Sequence, residues 1–248
     1  MAHRLTPRAI VALDVATAGD ARALIQRLGD DCDFVKVGSE LFTGAGPDVV
    51  ALLRREGVAP DRPDGREVFL DLKLHDIPNT VRGAARRAAA LGARLLTVHA
   101  TGGTAMMEAA VEGAGPDCGV LAVTVLTSLD APALGTVWGR AIERVEDEVL
   151  RLARLARRAG AHGIVCSGWE AAAVRAEHGD ALRVLVPGVR LAGAAAHDQR
   201  RVATPGEAAT AGASYVVVGR AVTADPDPRQ ALERIVRELS AARAGGAV

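Results

Sequence analysis

The chain has 248 residues, 49% of them hydrophobic and 24% charged, and its 30 basic residues balance its 30 acidic ones. A net charge of zero gives no basic excess to attract nucleic acid or an anionic membrane. No run approaches the roughly 20 apolar residues of a membrane-spanning helix. The composition therefore predicts a soluble, cytoplasmic protein that has neither nucleic-acid nor membrane partners.

Eight short aliphatic runs recur along the chain, separated by Ala- and Arg-rich segments whose apolar residues follow helical spacing. The runs are AIVALDV (9–15), FVKVG (34–38), EVFLDLKL (67–74), RLLTVHA (94–100), GVLAVTVL (119–126), GIVCSG (163–168), RVLVPGV (183–189) and YVVVGRAV (215–222). Several helical segments end at a glycine suited to helix termination, namely Gly92, Gly160 and Gly212. Eight strands alternating with helices predict the α/β class, as a single (β/α)8 TIM barrel over 1–248 with short flexible tails at about 1–8 and 244–248.

A doubly wound open sheet is the competing architecture. The first strand is followed by DVATAGDA and not by a G-x-G-x-x-G fingerprint, so a Rossmann nucleotide site has no support. Segment 190–207 follows the seventh strand, which predicts that it lies at the top of the barrel as a candidate lid. The three cysteines form no C-x-x-C pair, which argues against a disulfide framework or a structural zinc site.

Only two of the 30 basic residues are lysines, Lys36 and Lys73, and both lie within apolar runs. Lysine differs from arginine in being compact and in giving up its proton within a reachable pKa range. Strand alternation sends Asp71 and Lys73 to one face of 68–74, and Asp76 follows shortly after. Opposite charges on a buried strand face are costly unless something uses them, so these lysines mark positions where an ammonium group is chemically required.

The carboxyl ends of barrel strands are where barrel enzymes build their active sites. In chain order these ends carry Asp14, Lys36, Asp71, Lys73, Asp76, His99, Thr127, Ser167, Arg190 and Arg220. The two arginines follow the seventh and eighth strands, where barrels often bind phosphate, and a bidentate arginine suits a phosphate dianion. No His or Cys pair has ligand spacing, so no metal site is predicted. The pattern indicates a small phosphorylated substrate whose reacting end lies over a Lys–Asp network.

The segment DLKLHDIPNT (71–80) resembles the D-x-K-x-x-D-I-P-N-T signature of the orotidine 5′-monophosphate decarboxylase family. It is accompanied, in the expected order, by ALDV (12–15), FVKVG (34–38), TVLTS (124–128), PGVR (187–190), DQRR (198–201) and VVGRAVT (217–223). The stretch DQRRVATPGEA resembles the bacterial branch of the family. The resemblance implies decarboxylation of orotidine 5′-monophosphate to uridine 5′-monophosphate and CO2, the last step of de novo UMP synthesis, by a homodimer with no cofactor and no metal.

The resemblance also implies roles for individual residues. Lys73 would stabilise the carbanion that remains as CO2 departs and then protonate it, while Asp71 would lie against the departing carboxylate. Asp76 and Thr80 would come from the second subunit, with Asp76 completing a Lys36–Asp71–Lys73–Asp76 chain. The implied substrate contacts are Asp14, Lys36 and Thr80 at the ribose, Thr127 at the pyrimidine, and Arg190, Gln199, Gly219 and Arg220 at the phosphate, with Pro187 also among the substrate-binding residues.

Other interpretations of the same residues stay open. Asp71 and Lys73 could form a structural ion pair, Asp76 could favour the N-terminus of a helix near Pro78, and His99 could support the site without acting as a base. The functional alternatives are a magnesium-dependent sugar-phosphate decarboxylase or aldolase of the same barrel group, and a non-catalytic nucleotide-phosphate-binding barrel. Lys36 disfavours the first because lysine repels a divalent ion, and the presence of both Asp71 and Lys73 disfavours the second.

Overall fold

A computed structural model describes residues 6–56, 65–190 and 203–244. Its eight parallel strands pair in sequence order, and the last pairs with the first to close a barrel. The strands are β1 (Arg8–Ala12), β2 (Phe34–Gly38), β3 (Glu67–Leu74), β4 (Leu95–His99), β5 (Gly119–Val123), β6 (Gly163–Val165), β7 (Arg183–Val186) and β8 (Tyr215–Val218). The predicted (β/α)8 barrel is confirmed, and the open doubly wound sheet is wrong.

Helices connect successive strands around the outside of the barrel. Over the described ranges they are α1 (Ala18–Leu28), α2 (Ser39–Ala45), α3 (Asp48–Arg55), α4 (Pro78–Ala90), α5 (Thr104–Ala114), α6 (Ala131–Trp138), α7 (Val145–Arg158), α8 (Gly168–His178), α9 (Pro205–Thr210), α10 (Arg220–Thr223) and α11 (Pro228–Ala244), with 3₁₀ turns at Ala100–Gly102 and Gly179–Ala181. None of these helices is long and apolar enough to cross a membrane.

The predicted helix-ending glycines are confirmed at Gly92, Gly160 and Gly212. Each follows the last turn of its helix with a positive φ and donates its N–H back to a carbonyl of that turn. This left-handed conformation costs glycine little because it has no Cβ.

The strand predicted over 215–222 ends early, at Val218. Gly219 turns the chain there, and its carbonyl accepts the N–H groups of Val222 and Thr223 to start α10. The second half of the apolar run therefore belongs to a short helix, and Arg220 begins that helix at the top of the barrel.

The core has two layers, as strand alternation inside a barrel requires. The inner layer fills the barrel with large apolar side chains from alternate strand positions: Ile10, Phe34, Phe69, Leu95, Leu121 and Leu185. The outer layer packs the opposite strand faces against the surrounding helices. On β3 this alternation assigns Leu70, Leu72 and Leu74 to the outer layer, so Phe69, Asp71 and Lys73 share the inner side.

A polar layer closes the bottom of the barrel beneath the inner core. Arg8 donates to Glu67 (2.6 Å) and Asp33 (2.8 Å). On β8, Tyr215 is paired with Arg8, and its hydroxyl lies 3.1 Å from Nε2 of His162. Burial, reinforced by the positive charges of Arg183 and Arg94, lowers the pKa of His162 below its usual value.

The lowered pKa of His162 predicts that acid destabilises the fold. The native state disfavours the imidazolium, whereas the unfolded chain binds the proton below an ordinary pKa of about 6.5. The stabilising contribution is therefore complete above that pH and is lost as the pH falls toward the lower native pKa. The free energy of unfolding, measured with urea at about pH 8 and about pH 5, should fall less between these pH values in His162→Gln than in the unsubstituted protein.

Burial also lowers the pKa values of His99 and His178, and both residues remain in this variant. The decrease in the free energy of unfolding at acid pH should therefore be smaller in the variant, but it should not disappear. An equal decrease in the free energy of unfolding in the variant and in the unsubstituted protein would mean that His162 does not contribute to the acid sensitivity.

Candidate active site

The top of the barrel carries a row of alternating charges supplied by three neighbouring strands. Lys36 lies on β2, and its Nζ is 2.8 Å from Oδ1 of Asp14, which follows β1. The same Nζ is 3.7 Å from Oδ2 of Asp71 on β3. The other oxygen of Asp71 lies 2.8 Å from Nζ of Lys73. The charges thus run Asp14–Lys36–Asp71–Lys73 around one side of the barrel mouth.

The strand register explains why these groups meet. Gly38 on β2 is paired with Asp71 on β3, and Lys36 lies on the same inner side two residues earlier. Gly38 also leaves space for the first ion pair, because a Cβ at this position would lie 3.0 Å from Nζ of Lys36 and 3.4 Å from Oδ1 of Asp14. Side chains held this way by three paired strands need little further ordering before they act.

Lys73 has a backbone conformation that the sequence does not predict. Its φ is +50°, and it is the one non-glycine residue of the described ranges with a positive φ. The pairing of β3 with β4 shifts register between Leu70 and Leu74, so Lys73 lies in a bulge. Such a conformation costs a non-glycine residue about 1–2 kcal/mol, which its surroundings must offset.

Thr97 on β4 contacts this bulge and is a site residue that the sequence did not lead us to expect. Its hydroxyl donates to Oδ1 of Asp71 (2.9 Å) and accepts the backbone N–H of Lys73 (2.9 Å). A signal for it exists in the sequence: within LLTVH, alternation sends Thr97 inward with Leu95 and His99, and a hydroxyl inside a barrel needs polar partners.

Beside the charged row lies a cavity of about 280 Å³ that opens at the top of the barrel. Nine of the predicted site residues line it: Asp14, Lys36, Asp71, Lys73, Thr127, Pro187, Arg190, Gly219 and Arg220. Its floor is the upper edge of the inner core, and aliphatic side chains from the β5 and β6 regions form a wall. The two arginines follow β7 and β8, away from the lysines along the chain. The cavity therefore combines two arginines, an apolar wall and a Lys–Asp row.

Asp76 and Thr80 do not line this cavity, although both are described. They lie in an exposed stretch (75–80), and Oδ1 of Asp76 accepts the N–H of Ile77 at 2.6 Å. Ile77 is the N-cap residue of α4 and its side chain gives no capping hydrogen bond, so this contact of Asp76 lies just before the helix. Gln199 and most of the predicted lid lie outside the described residues.

Two other residues at strand ends, His99 and Ser167, contact neighbouring side chains outside the charged row. The ring of His99 lies 5.5 Å from that of His75, and burial, followed by the charges of His75 and Lys73, lowers the pKa of His99. Ser167 is fully buried and forms a capping box with Glu170 at the start of α8, which is a structural role. Across the described residues, no group of three or more His, Cys, Asp or Glu side chains could hold a metal ion.

Fold and site together define a (β/α)8-barrel enzyme whose cavity is lined by two arginines and a Lys–Asp row. The model of the orotidine 5′-phosphate decarboxylase / HUMPS family matches residues 7–235, and the chain belongs to this family.

Individual relatives extend over nearly the whole chain. The chain is 55% identical to orotidine 5′-phosphate decarboxylase of Anaeromyxobacter sp. (strain K), covering 94% of this chain and 98% of the relative. It is 48% identical to that of Halorhodospira halophila (strain DSM 244 / SL1), covering 95% and 97%. Among solved structures, orotidine 5′-phosphate decarboxylase from Lactobacillus acidophilus superposes with a TM-score of 0.81 at 37% identity, covering 95% of this chain and 99% of that one.

Gly38→Ala should disturb the charged row without unfolding the barrel. The added methyl meets the ammonium of Lys36 at the end of a flexible side chain, so that group should shift by about a few tenths of an ångström. Activity should fall by about tenfold, since small displacements at a reacting centre are costly. A crystal structure of the variant, with turnover measured in parallel, checks both effects.

The matched control is Gly19→Ala in α1, where the nearest atom to the new Cβ is Oγ1 of Thr17 at 3.6 Å. It should leave both the Lys36–Asp14 contact and activity unchanged. Full activity in Gly38→Ala with a displaced Lys36 would mean that the position of this ammonium is unimportant.

Proposed function

We propose that this protein decarboxylates orotidine 5′-monophosphate to uridine 5′-monophosphate and CO2, the last step of de novo UMP synthesis, without a metal or organic cofactor. The observation that carries the proposal is the Asp14–Lys36–Asp71–Lys73 row, built partly from the DLKLHDIPNT segment. The similarity to the orotidine 5′-phosphate decarboxylases of Anaeromyxobacter and Halorhodospira favours this activity over a magnesium-dependent sugar-phosphate reaction.

The reaction needs a cation that can also give up a proton. As the bond between the ring carbon and the carboxylate breaks, its electron pair stays on the ring carbon and CO2 leaves. Lys73 then donates a proton from Nζ to that carbon, so one C–H bond replaces the C–C bond. An ammonium already fixed 2.8 Å from Asp71 stabilises the developing negative charge without reorganising. Arginine could supply the charge but scarcely the proton.

Asp71 holds the centre of the row in this proposal. Its two oxygens lie near the ammonium groups of Lys36 and Lys73, and Oδ1 also accepts from Thr97. This carboxylate is fixed before substrate arrives and would lie against the carboxylate that departs. Metal chemistry fits poorly here, because the two lysines repel a divalent cation from the carboxylate between them.

The remaining cavity residues are assigned to parts of the nucleotide. Arg190, Arg220 and the backbone of Gly219 would bind the phosphate, with Gln199 from the lid as a further partner. Asp14 and Lys36 would contact the ribose, and Thr127 the pyrimidine. Pro187 would contribute to the wall beside the phosphate. The lining of a single cavity by most of these residues supports the assignment.

We also propose a homodimer in which Asp76 and Thr80 reach the partner's cavity. Support comes from their position in an exposed stretch and from Ile77, whose apolar side chain is 68% exposed in the isolated chain. Thr80 would contact the ribose, and Asp76 would approach Lys73 of the partner subunit. A cytoplasmic location is proposed from the composition and the scattered cysteines alone.

The first test measures the ultraviolet absorbance of orotidine 5′-monophosphate with purified protein in excess EDTA. Loss of the carboxylate changes the pyrimidine chromophore, so turnover is read directly. Turnover should persist in EDTA and fall by more than about a thousandfold in Lys73→Ala, because the proton donor is lost. The control, Arg86→Ala, removes an exposed cation of α4 and should leave the rate unchanged.

Absence of turnover in EDTA, with activity on a sugar phosphate after magnesium is restored, would contradict the proposal and favour the magnesium-dependent alternative. Binding of uridine 5′-monophosphate without any turnover would leave a non-catalytic barrel.

The shared site predicts complementation between inactive variants. Lys73→Ala and Asp76→Ala should each be inactive alone. If Asp76 acts across the interface, a mixed dimer holds one doubly altered site and one intact site. When equal amounts of the two variants are refolded together, about half of the dimers are mixed, and each mixed dimer has one intact site. Activity should therefore recover to about a quarter of that of the unsubstituted protein. No recovery, with mixed dimers demonstrated by mass spectrometry, would mean that Asp76 does not act on the partner.

A further inference from the structure

We propose that Thr97 is a positioning residue that holds both ends of Lys73 for the reaction. Its hydroxyl is linked to two protein groups: the carboxylate of Asp71 and the backbone N–H of Lys73. The inference rests on the proposed function for the identity of the reaction that it affects. The geometry on which it stands belongs to the folded chain itself.

The bulge in β3 creates the need for such a residue. Between two paired positions, β3 advances from Leu70 to Leu74 while β4 advances only from Leu96 to Val98. The β3 residues between Leu70 and Leu74 are therefore not paired with β4 in the regular register. Thr97 is the β4 residue that lies across from them. Its side chain supplies the hydrogen bond to Lys73 that the β4 backbone no longer gives.

The contacts form a closed loop through one hydroxyl. The N–H of Lys73 donates to Oγ1 of Thr97, and that hydroxyl donates to Oδ1 of Asp71. The same Oδ1 accepts from Nζ of Lys73 at 2.8 Å. The backbone and the ammonium of one lysine are thus tied to a single point on β4. Rotation of the ammonium away from Asp71, or relaxation of φ from +50°, breaks the loop.

The surroundings make the hydroxyl hard to replace. Thr97 is fully buried, so water does not readily take its place, and the polar groups it serves would be left without this partner. Its branched Cβ also restricts the rotation of the side chain, which fixes the direction of the hydroxyl. Valine keeps this shape and removes only the hydrogen bonds.

The test compares kcat and KM for orotidine 5′-monophosphate in Thr97→Val and the unsubstituted protein. We expect kcat to fall by about 10- to 100-fold, the usual effect of removing a group that orients a reacting residue. KM should change much less, because Thr97 does not line the cavity. In a crystal structure of the variant, Lys73 should leave the left-handed region or lose its contact with Asp71.

The matched control is Thr124→Val. Thr124 is also buried, and its hydroxyl donates to the carbonyl of Val165 at 2.8 Å without contacting Asp71 or Lys73. Thr124→Val should lose about as much stability as Thr97→Val, but its kcat should stay unchanged. Equal losses of kcat in both valine variants, or a normal kcat in Thr97→Val, would overturn the proposal.

A second pair keeps the test decisive if Thr97→Val does not fold. Thr97→Ser and Thr97→Ala both lack the methyl group and differ only in the hydroxyl. Serine should recover most of kcat and alanine should not, whereas equal rates would refute a role for the hydroxyl. If the unsubstituted protein does not decarboxylate the nucleotide, the proposed function fails. A Thr97→Val crystal structure in which Lys73 keeps both its φ near +50° and its contact with Asp71 would separately overturn the positioning role.

Discussion

The burial of Lys36 between two carboxylates is the constraint on which the rest of the site depends. Its side chain is only 10% exposed, and a buried ammonium is tolerated when carboxylates lie close to it. One carboxylate, Asp14, follows β1 and the other, Asp71, lies on β3, and these strands are the two neighbours of β2. Displacing any of the three strands would separate charges that stabilise one another only in contact. The closed barrel therefore fixes the site, and the site in turn requires the strand register.

The inner core makes that register rigid where the chemistry lies. Phe69 is followed two residues later by Asp71, so the side chain that caps the core and the side chain that begins the site share one face of β3. Close-packed interiors resist small displacements. The apolar layer thus serves as a fixed floor from which the charged groups project.

Periodicity and composition predicted most of this arrangement. Eight aliphatic runs indicated the barrel, and the scarcity of lysine singled out Lys36 and Lys73. The bulge in β3, the left-handed Lys73 and the role of Thr97 were not predicted, because alternation within one strand says nothing about its register against the next. The end of β8 was also misjudged, since Gly219 turns the chain inside an apolar run. Asp76 and Thr80 do not line the cavity of their own chain, and periodicity carries no information about what a second subunit would contribute.

The two lysines carry the same chemistry but occupy different positions, and this difference separates their roles. Lys36 has a carboxylate on each side and little exposure, so its ammonium is enclosed. Lys73 contacts one carboxylate within the described chain, and its side chain is 38% exposed at the cavity. A proton donor must reach the substrate on a side that its own partners leave open. Under the proposed function, Lys36 is therefore suited to hold Asp71 in place, and Lys73 to deliver the proton.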